Sequence, residues 1–119
     1  MFKTAVLIRK NPALTVAEFR EHYETKHAPL AASLMPKLRR YTRHFATAYG
    51  NATYSGGDDH QDLDVITEMW FDSEADFQEA MAHLSQPEVA AVLGADEERV
   101  FDRSSIRIYL LEDSGDAIN

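Results

Sequence analysis

Apolar positions along this chain fall into four strand-like runs and two helical stripes. Phe2 to Ile8 is a short, mostly apolar run of strand formers, ended by Arg9-Lys10-Asn11-Pro12, with apolar side chains on both of its faces. The period then changes. Val16, Phe19, Tyr23 and His27 follow the i, i+3, i+7, i+11 stripe of an amphipathic helix, and Thr15 stands three residues before Glu18 in a capping-box pattern. Pro29 disfavours the α conformation at Ala28 and predicts a break or kink near His27. Leu30, Leu34 and Met35 add a turn or two of helix before Pro36. This phase carries His27 inward, whereas His22 shares a face with Glu18 and Lys26 and is expected in solvent.

Leu38 to Tyr49 alternates well enough for a second strand, with Arg39, Tyr41, Arg43 and Phe45 on one face and Arg40, Thr42, His44 and Ala46 on the other. Gly50 to Asp62 is polar and glycine-rich, a loop long enough to serve as a lid at one mouth of a cavity. Leu63 to Phe71 is the strongest strand signal, and Asp72-Ser73 supplies a helix N-cap directly after it. Phe77, Ala80, Met81 and Leu84 form the stripe of the next helix, ended at Gln86-Pro87. Pro87 opens a further helical piece with Val89, Val92 and Leu93 inward, closed at Gly94. Asp96-Glu97-Glu98 reads as a solvated turn, Ser104 to Leu111 as the last strand, and Glu112 to Asn119 as a frayed tail.

The order is β-α-β-β-α-β, which predicts an α+β fold over residues 1–119 as one domain: a ferredoxin-like sandwich with helices on one face of a four-stranded antiparallel sheet. One face of such a sheet is left uncovered, yet the first and third strands carry apolar residues on both faces. A second copy of the chain is the simplest cover, so a homodimer is expected.

Charge and composition narrow the partners. The 119 residues carry 12 Lys and Arg against 20 Asp and Glu, a net charge of −8, which argues against neutralising a phosphate backbone, so no nucleic acid is expected. Cysteine is absent, removing thiolate nucleophiles and Cys-ligated metals. His22 and His27 are five positions apart, not the three or four that bring two imidazoles to one helical face. No dinucleotide turn, Walker loop or nucleophile elbow occurs, so neither metal nor cofactor is expected. No run approaches the roughly 18 apolar residues of a membrane span, and no secretory leader is visible, which makes a cytoplasmic location the default.

Phe19-Arg20-Glu21-His22-Tyr23, followed by His27-Ala28-Pro29-Leu30, then Tyr41-Thr42-Arg43-His44 and Glu68-Met69-Trp70-Phe71-Asp72-Ser73 with Phe77 behind it, resembles the EthD family. The similarity runs roughly from the first strand to the last. It implies a dimeric α+β barrel with a cavity between sheet and helices, acting on small organic molecules. One fold does not imply one reaction, because relatives include oxygenases, isomerases, dehydratase-like enzymes and haem-handling proteins.

Within that frame His27 is the first candidate for general acid or base, since imidazole takes and returns protons near neutral pH. Its bland alternative is a cap on the carbonyls of a helix end. Tyr23, one turn earlier, and Tyr41, from the second strand, offer phenols to a developing oxyanion. His44 joins this catalytic set if its strand face is the cavity face, and otherwise belongs to the dimer interface. Phe19, Phe45 and Trp70 are candidate walls for substrate, with core packing as the alternative for Trp70. The function expected is cofactor-free acid-base chemistry of a lyase, dehydratase or isomerase on a hydrophobic carbonyl- or phenol-bearing compound. Two alternatives stand beside it: a cofactor-independent monooxygenase and a non-catalytic binder of small ligands.

Overall fold

A computed structural model describes residues 1–57 and 60–118. β1 spans Phe2–Lys10, α1 Val16–His22, a π-helical turn Tyr23–His27, α2 Ala28–Leu34, β2 Arg40–Phe45, β3 Val65–Phe71, α3 Glu74–Leu84, α4 Pro87–Val100 and β4 Phe101–Leu111. The strands make one antiparallel sheet in the order β2-β3-β1-β4, the ferredoxin-like arrangement expected from the order of elements. Asp58 and Asp59 of the expected loop, and Asn119 of the expected tail, lie outside the described residues.

Alternation in β3 sorts the two faces. Val65, Thr67, Met69 and Phe71 are buried beneath the helices, while Ile66, Glu68 and Trp70 are only half-buried on the open face. Register carries the same division to the neighbours: Tyr41 opposes Met69, Arg43 opposes Thr67 and Phe45 opposes Val65, so these three lie on the helix side. Arg40, Thr42 and His44 face the other way, and no bulge interrupts β2. The one register shift lies between Leu7 and Arg9, where β1 pairs with β4.

Pro29 interrupts the first helix without ending it: the break or kink expected near His27 is a π turn, in which the Ala28 N–H reaches back to the Tyr23 carbonyl, and the chain continues as α2 with Pro29 in its first turn. An extra residue in the turn relieves the clash that the proline ring makes with a carbonyl four residues back. Contrary to expectation, α4 does not stop at Gly94 but runs on to Val100, through the three acidic residues expected to be a turn. A glycine inside a helix costs about 1 kcal/mol relative to alanine, less than the burial of Val100 and Phe101 beyond it returns.

The core between sheet and helices is rich in rings. Phe19, 1% exposed, stands edge-on to Phe45 at 5.9 Å and to Phe101 at 6.1 Å. Thr15 fixes the start of its helix, accepting from the Glu18 N–H while the Glu18 carboxylate accepts from the Thr15 N–H. Phe19→Ala should therefore lower unfolding stability by about 3–5 kcal/mol in urea titration. A loss under about 1 kcal/mol would show that this ring is not a packing anchor.

Candidate active site

His27 ends the π turn, 3% exposed, with its ring edge-on to Tyr23 at 5.4 Å and to Phe101 at 4.8 Å. Its Nδ1 lies 2.8 Å from Asp96 Oδ2 on α4. A carboxylate only accepts, so Nδ1 carries the proton and Nε2 of the neutral ring keeps its lone pair. Burial holds the His27 pKa below the ordinary imidazole value, although the hydrogen bond and charge of Asp96 work the other way. A neutral imidazole satisfies both facts: it donates Nδ1–H to the carboxylate and avoids a buried cation.

Asp96 has a second histidine. His22 Nε2 lies 2.9 Å from Asp96 Oδ1, so the carboxylate is held at both oxygens, by one ring facing the cavity and one nearer the surface. Burial would raise the Asp96 pKa, but hydrogen bonds from His22 and His27 pull it below the usual aspartate value. His22 is thus not a free surface imidazole, as its position beside Glu18 and Lys26 suggested. It positions the carboxylate that positions His27.

Beside His27, the Tyr23 hydroxyl lies 2.6 Å from Thr67 Oγ1 and 3.4 Å from the Tyr41 hydroxyl. Burial raises the pKa of both phenols, so they remain proton donors at neutral pH. Arg43 covers the outer side of the pair, its guanidinium 5.0 Å from the Tyr41 ring and bound through Nε and a terminal nitrogen to the Glu24 carboxylate at 2.8 and 2.9 Å. His27, Tyr23 and Tyr41 border one cavity of about 100 Å³, whose remaining walls are largely aliphatic and include Met35, Met69, Leu93 and Ile106. Ile108 borders it on the β4 side and is itself about half exposed.

Other expected site residues lie elsewhere. His44 points from the open face of the sheet, where its Nε2 meets Glu68 Oε2 at 2.7 Å. Trp70 shares that face, donating to Glu68 Oε1 at 3.2 Å with Lys3 and Arg40 over its ring. Phe19 and Phe45 are on the helix side but stand behind Tyr23 and do not border the cavity. None of the described residues of the 50–62 loop borders it either. Gln61 instead ties that loop to the far end of β2, donating to the Ala46 carbonyl and accepting from the Ala48 N–H, so the described residues of the loop form no lid over His27.

The EthD domain model matches residues 11–104, which is most of the chain and includes both His27 and Asp96. The chain belongs to the EthD family. Among solved structures, an EthD-family protein from Bacillus halodurans C-125 is 24% identical, with a TM-score of 0.60 over 96% of this chain and 100% of that one. A dimeric ferredoxin-like protein from Thermobifida fusca YX is 19% identical, with a TM-score of 0.55 over 92% and 88%. A monooxygenase from the ActVA-Orf6 gene of Streptomyces coelicolor, solved with nanaomycin D, is 14% identical, with a TM-score of 0.57 over 99% and 91%. At these identities the likeness shows the fold, that of the ferredoxin-like dimeric α+β barrel proteins. The comparison with curated proteins returns no match.

For this EthD-family chain, sequence reasoning missed Asp96, Glu97 and Phe101. All three surround His27 or its cavity because α4 continues past Gly94 and passes directly into β4. The available signal was the spacing Val89, Leu93, Val100 at i, i+4, i+11, which keeps the apolar stripe of α4 in phase across the acidic residues. Among the described residues no group of three His, Asp or Glu side chains converges to hold a metal, and no helix is long and apolar enough to cross a membrane.

Acid should weaken the fold through this cluster. His27 has a folded pKa below 6.5, so as pH falls through 6.5 the unfolded chain takes up a proton that the native ring refuses, and stability drops. Asp96, lowered from 3.8, adds a second loss at lower pH, as the unfolded carboxylate protonates first. Urea midpoints should be level above about pH 7 and decline below 6.5, and the ring resonances of His27 should titrate below those of a free imidazole. A midpoint that rises on acidification would contradict a buried neutral His27.

Proposed function

We propose that this EthD-family protein is a cofactor-free enzyme that moves a proton on a small, hydrophobic, carbonyl- or phenol-bearing molecule, by lyase, dehydratase or isomerase chemistry. One observation carries the reading: a buried imidazole whose Nδ1–H is fixed by a carboxylate, leaving Nε2 as a free base at an apolar cavity. His27 Nε2 takes a proton from carbon beside the carbonyl. Charge then grows on the carbonyl oxygen, where the protonated phenols of Tyr41 and Tyr23 donate to it. Asp96 stabilises the imidazolium that forms and holds the ring in the tautomer that can act. The apolar walls keep water from the enolate and strengthen each of these interactions.

His27→Ala should cut turnover by about 10²–10⁴ while leaving the fold intact by circular dichroism. His22→Ala should fall between that variant and the wild type, because it loosens Asp96 without removing the base. Full kcat in His27→Ala would reduce His27 to a helix-end residue and end the acid-base reading. Product formation, as opposed to bound ligand alone, separates an enzyme from a non-catalytic binder. Oxygen consumption on turnover would move the assignment to a cofactor-independent monooxygenase, which shares the base step.

The working form proposed is a homodimer assembled through the open face of the sheet. Leu7, Ile66, Trp70, Tyr109 and Leu111 lie there beside the His44–Glu68 pair, with Tyr109 52% and Leu111 41% exposed. Such a patch on a small domain marks an interaction surface, and the solved Thermobifida fusca neighbour is described as dimeric. Sedimentation at micromolar concentration should give twice the 13.5 kDa chain mass. A stable monomer would remove the dimer.

A further inference from the structure

Besides His27 and the two phenols, the cavity carries an ionisable side chain that the base reading leaves unused. Glu97 follows Asp96 on α4 and stands four residues after Leu93, and both Leu93 and Glu97 border the cavity. Consecutive helical residues point about 100° apart. Asp96 is therefore turned to the back of the His27 ring, while Glu97 enters the cavity from the α4 wall. Arg103 Nε lies 3.4 Å from Glu97 Oε1. The Arg103 guanidinium reaches that place across Gly94, where a Cβ would stand 3.5 Å from one of its nitrogens.

Resting on the reading of His27 as base, we infer that Glu97 is its acid partner: it gives a proton to a hydroxyl leaving the carbon β to a carbonyl, so the reaction is water elimination from a compact β-hydroxy carbonyl compound. An enolate formed by His27 alone can be reprotonated or can react further unaided. Hydroxide is a poor leaving group and departs readily only when an acid meets it. The carboxyl is suited to this, because burial raises its pKa, opposed by Arg103 and reinforced by the Asp96 charge. Arg103 then stands beside the carboxylate left behind.

The step balances. His27 Nε2 removes the α proton, the electron pair of that C–H bond becomes the new C=C bond, and the β C–O bond breaks. The oxygen keeps the pair from the broken bond and takes the Glu97 proton, leaving as water. The imidazolium afterwards loses its proton to solvent and Glu97 gains one, so the protein is restored without an oxidant or reductant.

The test uses 4-hydroxypentan-2-one with the full-length protein in D₂O. Deuterium entering C3 reads proton abstraction by His27, and pent-3-en-2-one reads the loss of water. Wild type should do both. Glu97→Gln, which keeps the shape of the side chain, should lower the ratio of enone formation to C3 exchange by about 10²–10⁴. The C3 exchange it retains shows that the variant is folded. An unchanged ratio in Glu97→Gln, or a wild type that exchanges C3 without releasing enone, overturns the assignment of Glu97 and leaves the base reading standing. A wild type that exchanges nothing at C3 overturns both.

Discussion

The carboxylate of Asp96 is the constraint on which the site depends. A buried charge is costly unless it is paired and hydrogen-bonded, and Asp96 meets the requirement with one imidazole on each oxygen, His22 and His27. The two histidines are five residues apart, a spacing that sets them on different sides of a regular helix. The π turn changes that geometry by inserting an extra residue between them, so both rings can reach one carboxylate on α4. Backbone irregularity, buried charge and ring orientation are thus one arrangement.

That arrangement also determines which protonation states are available. A carboxylate held ionised by two N–H donors forces the His27 proton onto Nδ1, and a neutral ring then has a basic Nε2 toward the cavity. Had the same histidine been left without Asp96, burial alone would have depressed its basicity further. Tyr23 and Tyr41 respond to the same burial in the opposite chemical sense, since desolvation keeps a phenol protonated. One apolar enclosure therefore makes a free base on one side of the cavity and proton donors on the other.

How much of this was legible in the sequence follows from the range of the interactions. The strands, the faces of β2 and the inward phase of His27 depend on periods of 2 and 3.6 residues, and local pattern carried them to the right answer. His44 and Trp70 show where pattern stops. Alternation placed His44 and Tyr41 on opposite faces, but only the register of β2 against β3 says which of those faces the helices cover. The missed residues failed for a different reason. Gly94, with three acidic residues from position 96, reads locally as a helix end, and it is overridden by contacts that join α4 to residues some seventy positions earlier.

Charge on the acidic stretch then divides by direction. Asp96, Glu97 and Glu98 are identical to a composition count, yet each has a separate fate around the helix. Asp96 is buried against two histidines, Glu97 borders the cavity near Arg103, and Glu98 is turned to solvent, where its ion pair with Arg103 contributes little. Two adjacent carboxyls sit in one low-dielectric corner, and both cannot carry full charge at low cost. Two histidine hydrogen bonds hold Asp96 ionised, whereas burial raises the pKa of Glu97, against the pull of Arg103 and with a smaller push from the Asp96 charge. The environments push the two groups apart, so a single turn of α4 supplies both the fixed charge behind His27 and, on the cavity wall, a carboxyl whose pKa lies above the ordinary glutamate value.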